Sequence, residues 1–248
     1  MKKTHIVLGA AGLLALSACG ASPAAGRTAQ AAPVARTVQV TAGDTYRNYA
    51  DLARHEKEGR DYTRVQRAPR GAKVAQIAIH GGLIEPPTSQ LADYAASYGH
   101  DAYYSFMGLK KSGNQKLHIT STHFDEPRAL KLVKAAKYTV SWHAAKGDRA
   151  VTYVGGRDTA LVKKIIKALN AKGFKTAVPA SKIEGQDPKN ICNRNQRGKG
   201  VQLEISTAQR KAFFAGGRLD RDWIANPAHR TKAFYAYAKA VDSVLAGL

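Results

Sequence analysis

Residues 74–85 read VAQIAIHGGLIE, and this stretch decides the fold. Its apolar, β-branched beginning is the pattern of a strand buried in a sheet. His80 closes the run, and Gly81 and Gly82 permit a sharp backbone turn. That turn can bring Glu85 back toward the imidazole in an H-x-x-x-x-E pattern. Two further runs carry side chains of the same kind. YTVSWH, residues 138–143, ends in His143, and GVQLEIS, residues 200–206, carries Glu204. Two histidines and a carboxylate are the ligand set of a hydrolytic zinc site with one position open to water. A further glutamate outside that set can act as general base.

The plainer alternatives are clear. His80 taken alone reads as a core histidine hydrogen-bonded in its turn, and Glu204 as a carboxylate on a solvated sheet face. A second strand ending in histidine shifts the balance, because one metal would draw both imidazoles to one place. Glu is also a poor strand residue. At period two Glu204 shares a face with Gln202 and Ser206, so one polar face opens on a cavity.

Outward from these strands, helical patterns run over 48–58, 89–97, 127–136, 159–172, 208–214 and 229–245. Strands are expected over 101–107, 116–121 and 175–180. Residues 138–143 and 150–154 read as a strand pair around Lys146-Gly147-Asp148. Strands alternating with helices predict a three-layer α/β/α domain with a central mixed sheet, its sites in loops beyond strand ends.

The N-terminus reads differently. Lys2 and Lys3 precede an apolar stretch, Ile6–Leu16, too short to span a bilayer, followed by Ser17-Ala18-Cys19-Gly20. This resembles a bacterial lipobox, so residues 1–19 are expected to be a lipoprotein signal and Cys19 the lipidated residue. A plain secretory signal is the alternative, and export follows from either. Residues 20–43 are rich in Ala, Pro, Ser, Gly and Thr and read as a flexible tether. Residues 44–248 are left as one catalytic domain.

The other cysteine, Cys192, has no partner for a disulfide once Cys19 is lipidated. A nucleophile is conceivable there, a buried structural thiol more so. The chain carries 39 Lys and Arg against 18 Asp and Glu, a formal charge of +21. Such a field attracts polyanions. Export and the lack of finger or RNP-type motifs argue against nucleic acid. A basic surface serving solubility alone is the bland reading.

Several segments together resemble the poly-γ-glutamate hydrolases of phages and bacilli: IAIHGGLIEPPTS, DAYYSFMG, LHITSTHFDEP, VSWHAAKG, YVGGRD, NICNRNQRGKGVQLEIS and RKAFF. They stand in the family's order from about Asp51 to Phe214. The resemblance implies a zinc carboxypeptidase-like fold and a Zn2+ enzyme cleaving the γ-amide bonds of an anionic γ-glutamyl polymer. Carried over, His80, Glu85 and His143 are zinc ligands and Glu204 is the general base.

The pattern departs from other zinc carboxypeptidases. Their first ligand pair is H-x-x-E, and their Asn-Arg carboxylate clamp precedes the last histidine, whereas Asn193-Arg194 follows His143. Leu83 stands where relatives carry a third glycine. Asn193, Arg194 and His123 are expected to contact substrate, and His118 to bind a substrate carboxylate, sit behind the ligands or serve structure. The chain is expected to be a monomer, touching the membrane only through a lipid on Cys19. A zinc amidase acting on γ-glutamyl bonds of peptidoglycan and a non-enzymatic polyanion-binding lipoprotein are the competing functions.

Overall fold

A strand buried on both faces must be apolar along its length, and the three runs singled out above take the middle of the sheet. The structure is a computed structural model that describes residues 43–248. The expected leader, Cys19 and all but the last residue of the expected tether lie outside the described residues. The strands are β1 (Tyr62–Arg67), β2 (Val74–Gly82), β3 (Ala102–Gly108), β4 (Tyr138–Ala145), β5 (Thr152–Gly155), β6 (Thr176–Ala177) and β7 (Val201–Ser206). They form one seven-stranded sheet in the order β1-β3-β2-β4-β7-β5-β6. Strands β3, β2, β4 and β7 run parallel, while β1 is antiparallel to β3 and β5 to β7. The sheet is mixed, as its sequence predicts.

Helices cover both faces. Leu52 of α1 (Tyr49–His55) and Ala129, Leu132 and Val133 of α3 (Pro127–Ala135) pack with Ile77, Ile79, Tyr104 and Phe106. On the other face, α2 (Thr88–Gly99), α4 (Thr159–Ala171) and α7 (Lys232–Leu245) pack on Val140, Trp142, Leu203 and Ile205. Two short helices, α5 (Thr207–Ala212) and α6 (Arg221–Ala225), complete the set. Leu161, Ile165 and Leu169 are the buried residues of α4, the face its spacing predicts. Each such side chain contributes about 1.5–3 kcal/mol when fully buried. Among the described residues no helix is long and apolar enough to cross a membrane.

Three expectations need correction. The strands at 138–143 and 150–154 are not neighbours, because β7 lies between them. Every residue of β7 is buried, so it takes the central place, and the short β5 is displaced outward. Residues 116–121 form no strand: a 3-10 turn spans Asn114–Leu117 and irregular chain follows. The period-two look of LHITST misleads because Leu117 and Ile119 are buried from a loop. Strand β1 was not foreseen, because YTRVQR is half polar and pairs only at the sheet edge.

Candidate active site

Parallel alignment brings the C-terminal ends of β2, β4 and β7 together, and each delivers one polar side chain there. The turn after His80 depends on its glycines. A Cβ on Gly81 would lie 2.2 Å from Ser105 Oγ, and Gly82 has φ +60° with Gly108 O only 2.5 Å from where a Cβ would stand. The backbone then folds back until Glu85 N–H donates to His80 O at 2.9 Å. His143 and Glu204 face each other in register across β4 and β7. Gln202, Glu204 and Ser206 alternate with core residues Val201, Leu203 and Ile205, so the polar face expected of β7 is present and buried.

His80 and His143 are each 2% exposed, and their Nδ1 atoms stand 3.1 Å apart. His80 Nε2 lies 2.8 Å from Ile119 O, which can only accept, so the ring proton sits on Nε2 and Nδ1 presents a lone pair. His143 Nε2 lies 2.8 Å from Ser141 Oγ, an oxygen able to accept its proton, which leaves the second Nδ1 as a matching lone pair. Glu85 completes the group, with Oε1 3.2 Å from His80 Nδ1 and Oε2 3.5 Å from His143 Nδ1. Ala144 N–H also donates to Oε2 at 3.0 Å. Four electron-rich atoms of three residues converge with no hydrogen left to share among them in this tautomer.

That arrangement fits zinc. Ligand atoms about 2.0–2.1 Å from a tetrahedral zinc lie roughly 3.3 Å from one another; the two ring nitrogens are 3.1 Å apart, Glu85 meets His80 through Oε1 and His143 through Oε2, and one atom from each residue gives a group within 4.8 Å. Both imidazoles have the second hydrogen bond that fixes a ligating ring.

The two carboxylates of the site differ in charge state. Burial opposes the charge on Glu85, but positive charge on the adjacent imidazoles, His80 first, holds the carboxyl well below the usual range when the rings are protonated, and a bound cation would take that part in the tautomer above. For Glu204, burial and the Glu85 charge raise the carboxyl well above that range, with Arg210 opposing. Gln202 Nε2 donates to Glu204 Oε1 at 3.1 Å, and Asn190 Nδ2 donates to Gln202 Oε1 at 2.7 Å. Two carboxylates pushed apart in this way can divide ligand and proton-carrier roles.

A cleft of about 510 Å³ opens over these residues, lined also by Asp44, His118, Thr120–Thr122, Lys146, Glu184, Asp187 and Asn190. His118 stacks on His80 with ring centroids 3.9 Å apart. Its Nδ1 is held by Asp44 Oδ1 at 2.9 Å, while Nε2 lies 3.8 Å from Glu85 Oε1. Thr120 N–H donates to the other Asp44 oxygen at 2.7 Å. Sequence reasoning left the role of His118 open and gave Asp44 none. Asp44 sits where the compositional tether ends, and nothing in its spacing marks it.

The residues expected to bind substrate are placed elsewhere. Neither Arg194 nor His123 lines the cleft, and His123 is exposed, with Nδ1 3.8 Å from Asp44 Oδ2. Asn193 is buried and ties its own loop: Nδ2 donates to Gly185 O at 2.7 Å and Asp187 O at 2.9 Å, and Oδ1 accepts from Gly200 N at 2.9 Å. Leu83 likewise stays off the cleft lining. Lys146 is the only Lys or Arg among the described lining residues, and sequence reasoning passed it over within VSWHAAKG. Cys192 is fully buried, burial pushes its thiol up, and the nucleophile reading falls.

The family model for poly-gamma-glutamate hydrolase matches residues 46–240. The chain belongs to that family. It is 40% identical over 205 residues to UPF0714 protein YmaC of Bacillus subtilis (strain 168), covering 82% of this chain and 84% of YmaC. UPF0714 protein YndL of the same strain is 38% identical over 182 residues, 71% of this chain and 69% of YndL. Among solved structures, a bacteriophage poly-gamma-glutamate hydrolase superposes with a TM-score of 0.78 at 38% identity, covering 82% of this chain and 97% of that one. A zinc-free apo form of YndL superposes with a TM-score of 0.75 at 34% identity, covering 82% and 97%.

Proposed function

We propose that this chain is a zinc-dependent hydrolase of the γ-glutamyl amide bonds of poly-γ-glutamate. The observation that carries the reading is the convergence of the His80 and His143 rings and the Glu85 carboxylate, one ligand atom of each within 4.8 Å of the others, with Glu204 in register beside His143. The family match supports the substrate, and the description of one YndL structure as zinc-free supports the metal. His80, Glu85 and His143 would hold the ion.

Zinc there would act as a Lewis acid, polarising the scissile carbonyl, acidifying a water and offsetting the charge that raises Glu204. Glu204 takes the proton of the attacking water and returns it to the leaving α-amine of the next residue. Gln202 occupies its Oε1, so Oε2 is the oxygen that carries the proton. Asp44 and Ile119 hold His118 and His80 from behind, so the wall of the site does not rotate away during turnover. Each substrate residue also bears a free α-carboxylate. Lys146, just beyond the end of β4 in the cleft wall, supplies the cation for one of them. Arg194 is not assigned that task.

The expected leader at residues 1–19 would support action outside the cell, on a lipid at Cys19 or after secretion, where such a polymer is met. Digestion of purified poly-γ-glutamate, peptidoglycan and α-linked polyglutamate, followed by chain length, tests the reading. Shortening of the first substrate alone is expected. Attack on peptidoglycan alone would transfer the activity to cell-wall stem peptides, and no cleavage of any would leave a binding protein.

A further inference from the structure

Arg210 is a buried cation that the reaction above does not use. It follows the Glu204 strand by one turn, in α5, and is 8% exposed. No ion pair among the described residues engages it; main-chain oxygens do instead. Its Nε donates to Ile205 O at 3.1 Å, Nη1 to Pro86 O, and Nη2 to Ala145 O at 3.3 Å and Thr207 Oγ1 at 3.1 Å. Thr207 Oγ1 in turn donates to Ala145 O at 3.5 Å.

The three carbonyls are not arbitrary. Pro86 follows Glu85, Ile205 follows Glu204, and Ala145 lies two residues beyond His143. One guanidinium therefore spans the three chain segments that present the site. Burying a charge with no carboxylate in direct contact is unfavourable, the nearby Glu85 and Glu204 charges offset only part of that cost, and an apolar side chain would fasten a short helix at less. A planar fork of five donors can bond three separate carbonyls at once, while an ammonium on a flexible stem cannot hold the same geometry.

We propose that Arg210 is a positioning residue, which sets the spacing of Glu85, His143 and Glu204. The inference rests on the zinc-hydrolase reading, and displacements of about 1 Å in such a site can cost on the order of 10²-fold in rate. Arg210→Lys keeps the charge and removes the fork. It should weaken zinc binding, read by chelator competition without substrate, and kcat on γ-glutamyl oligomers, each by about 10–100-fold. KM should stay within a few-fold.

Thr207→Ala removes one strut and should show the same pattern at about 3-fold, the scale of one neutral hydrogen bond. Arg64→Met calibrates plain destabilisation. Arg64 ties Glu58 and Glu126 away from the cleft lining, so this variant should melt earlier with zinc affinity and kcat unchanged. Arg210→Lys that melts earlier in the same way, yet keeps wild-type zinc affinity and kcat, overturns the inference. Should Arg210→Lys not accumulate as folded protein, Thr207→Ala decides by the same criterion. Wild-type protein that binds no zinc or cleaves no γ-glutamyl chain removes the underlying reading instead, and the two failures are distinct.

Discussion

Gln76 and His80 lie four residues apart on β2, and Trp142 and His143 are adjacent on β4, yet the polar pairs they form obey opposite rules. Trp142 Nε1 donates to Gln76 Oε1 at 2.9 Å, and Gln76 Nε2 donates to Asp101 Oδ2 at 3.0 Å. Every step there sets a donor against an acceptor. Four residues further along the same strand, His80 Nδ1 meets His143 Nδ1 and a carboxylate. The first cluster satisfies itself and belongs to the fold; the second gathers groups of the kind that could hold a cation. Burial alone does not separate them, since all four residues are buried.

The largest expected contrast comes from Glu204→Gln. It should retain zinc and lose about 10²–10⁴-fold in kcat, the usual contribution of a general acid–base group. Its melting temperature should equal or exceed wild type, because Gln removes the ionisation that burial and Glu85 resist in the folded chain and that favours the unfolded one above the ordinary carboxylate range. A variant with near-normal kcat would make Glu204 structural and erase the difference between the clusters.

Next is the charge of the cleft against that of the chain. The chain carries +21 formally, but the cleft lining holds Lys146 against Asp44, Glu85, Glu184, Asp187 and Glu204. Lys146→Ala should lower kcat/KM on the polymer about 10-fold, as for one charged hydrogen bond on an open wall. Arg194→Lys should stay within about 2-fold of wild type. The reverse ranking would restore Arg194 as the carboxylate clamp.

The self-satisfied cluster should answer in stability. Gln76→Leu strands the Trp142 N–H and removes a donor from Asp101, costing about 1–3 kcal/mol, with kcat per folded molecule little changed. Asp101 gives a smaller, pH-dependent effect. Burial raises its carboxyl to about 7, with the Gln76 hydrogen bond opposing and the Asp242 charge adding. Between its ordinary value of 3.8 and about 7, the folded chain holds a proton that the unfolded chain has released. The stability this group contributes is therefore full at low pH and lost as pH rises through that window. Asp101→Asn should melt a few degrees above wild type near pH 8 and lose that advantage near pH 4. A pH-independent difference would mean Asp101 titrates normally.

The central strands and the grouping of His80, Glu85 and His143 were legible in sequence because a strand ending in histidine, repeated, has a direct chemical meaning. Glu204 was legible because a carboxylate between Leu203 and Ile205 breaks the apolar run. The cleft wall was not. Lys146 and Asp44 line it from irregular chain, Arg210 lies behind it in a short helix, and which oxygen such a side chain meets depends on tertiary packing. Asn193-Arg194 shows the same limit: the dipeptide is expected to contact substrate, while in the fold Asn193 fastens its loop to itself and Arg194 stays off the cleft lining. The strand order around β7 also escaped, since neighbours in sequence suggested neighbours in the sheet.

Zinc content and polymer length, followed together on one preparation through chelation and refilling, test the central claim most directly, with His143→Ala alongside. The expected result is one zinc per chain, cleavage lost in step with the metal and regained with it, and His143→Ala holding zinc weakly and leaving the polymer intact. Zinc-free protein that shortens poly-γ-glutamate at the wild-type rate would contradict the account.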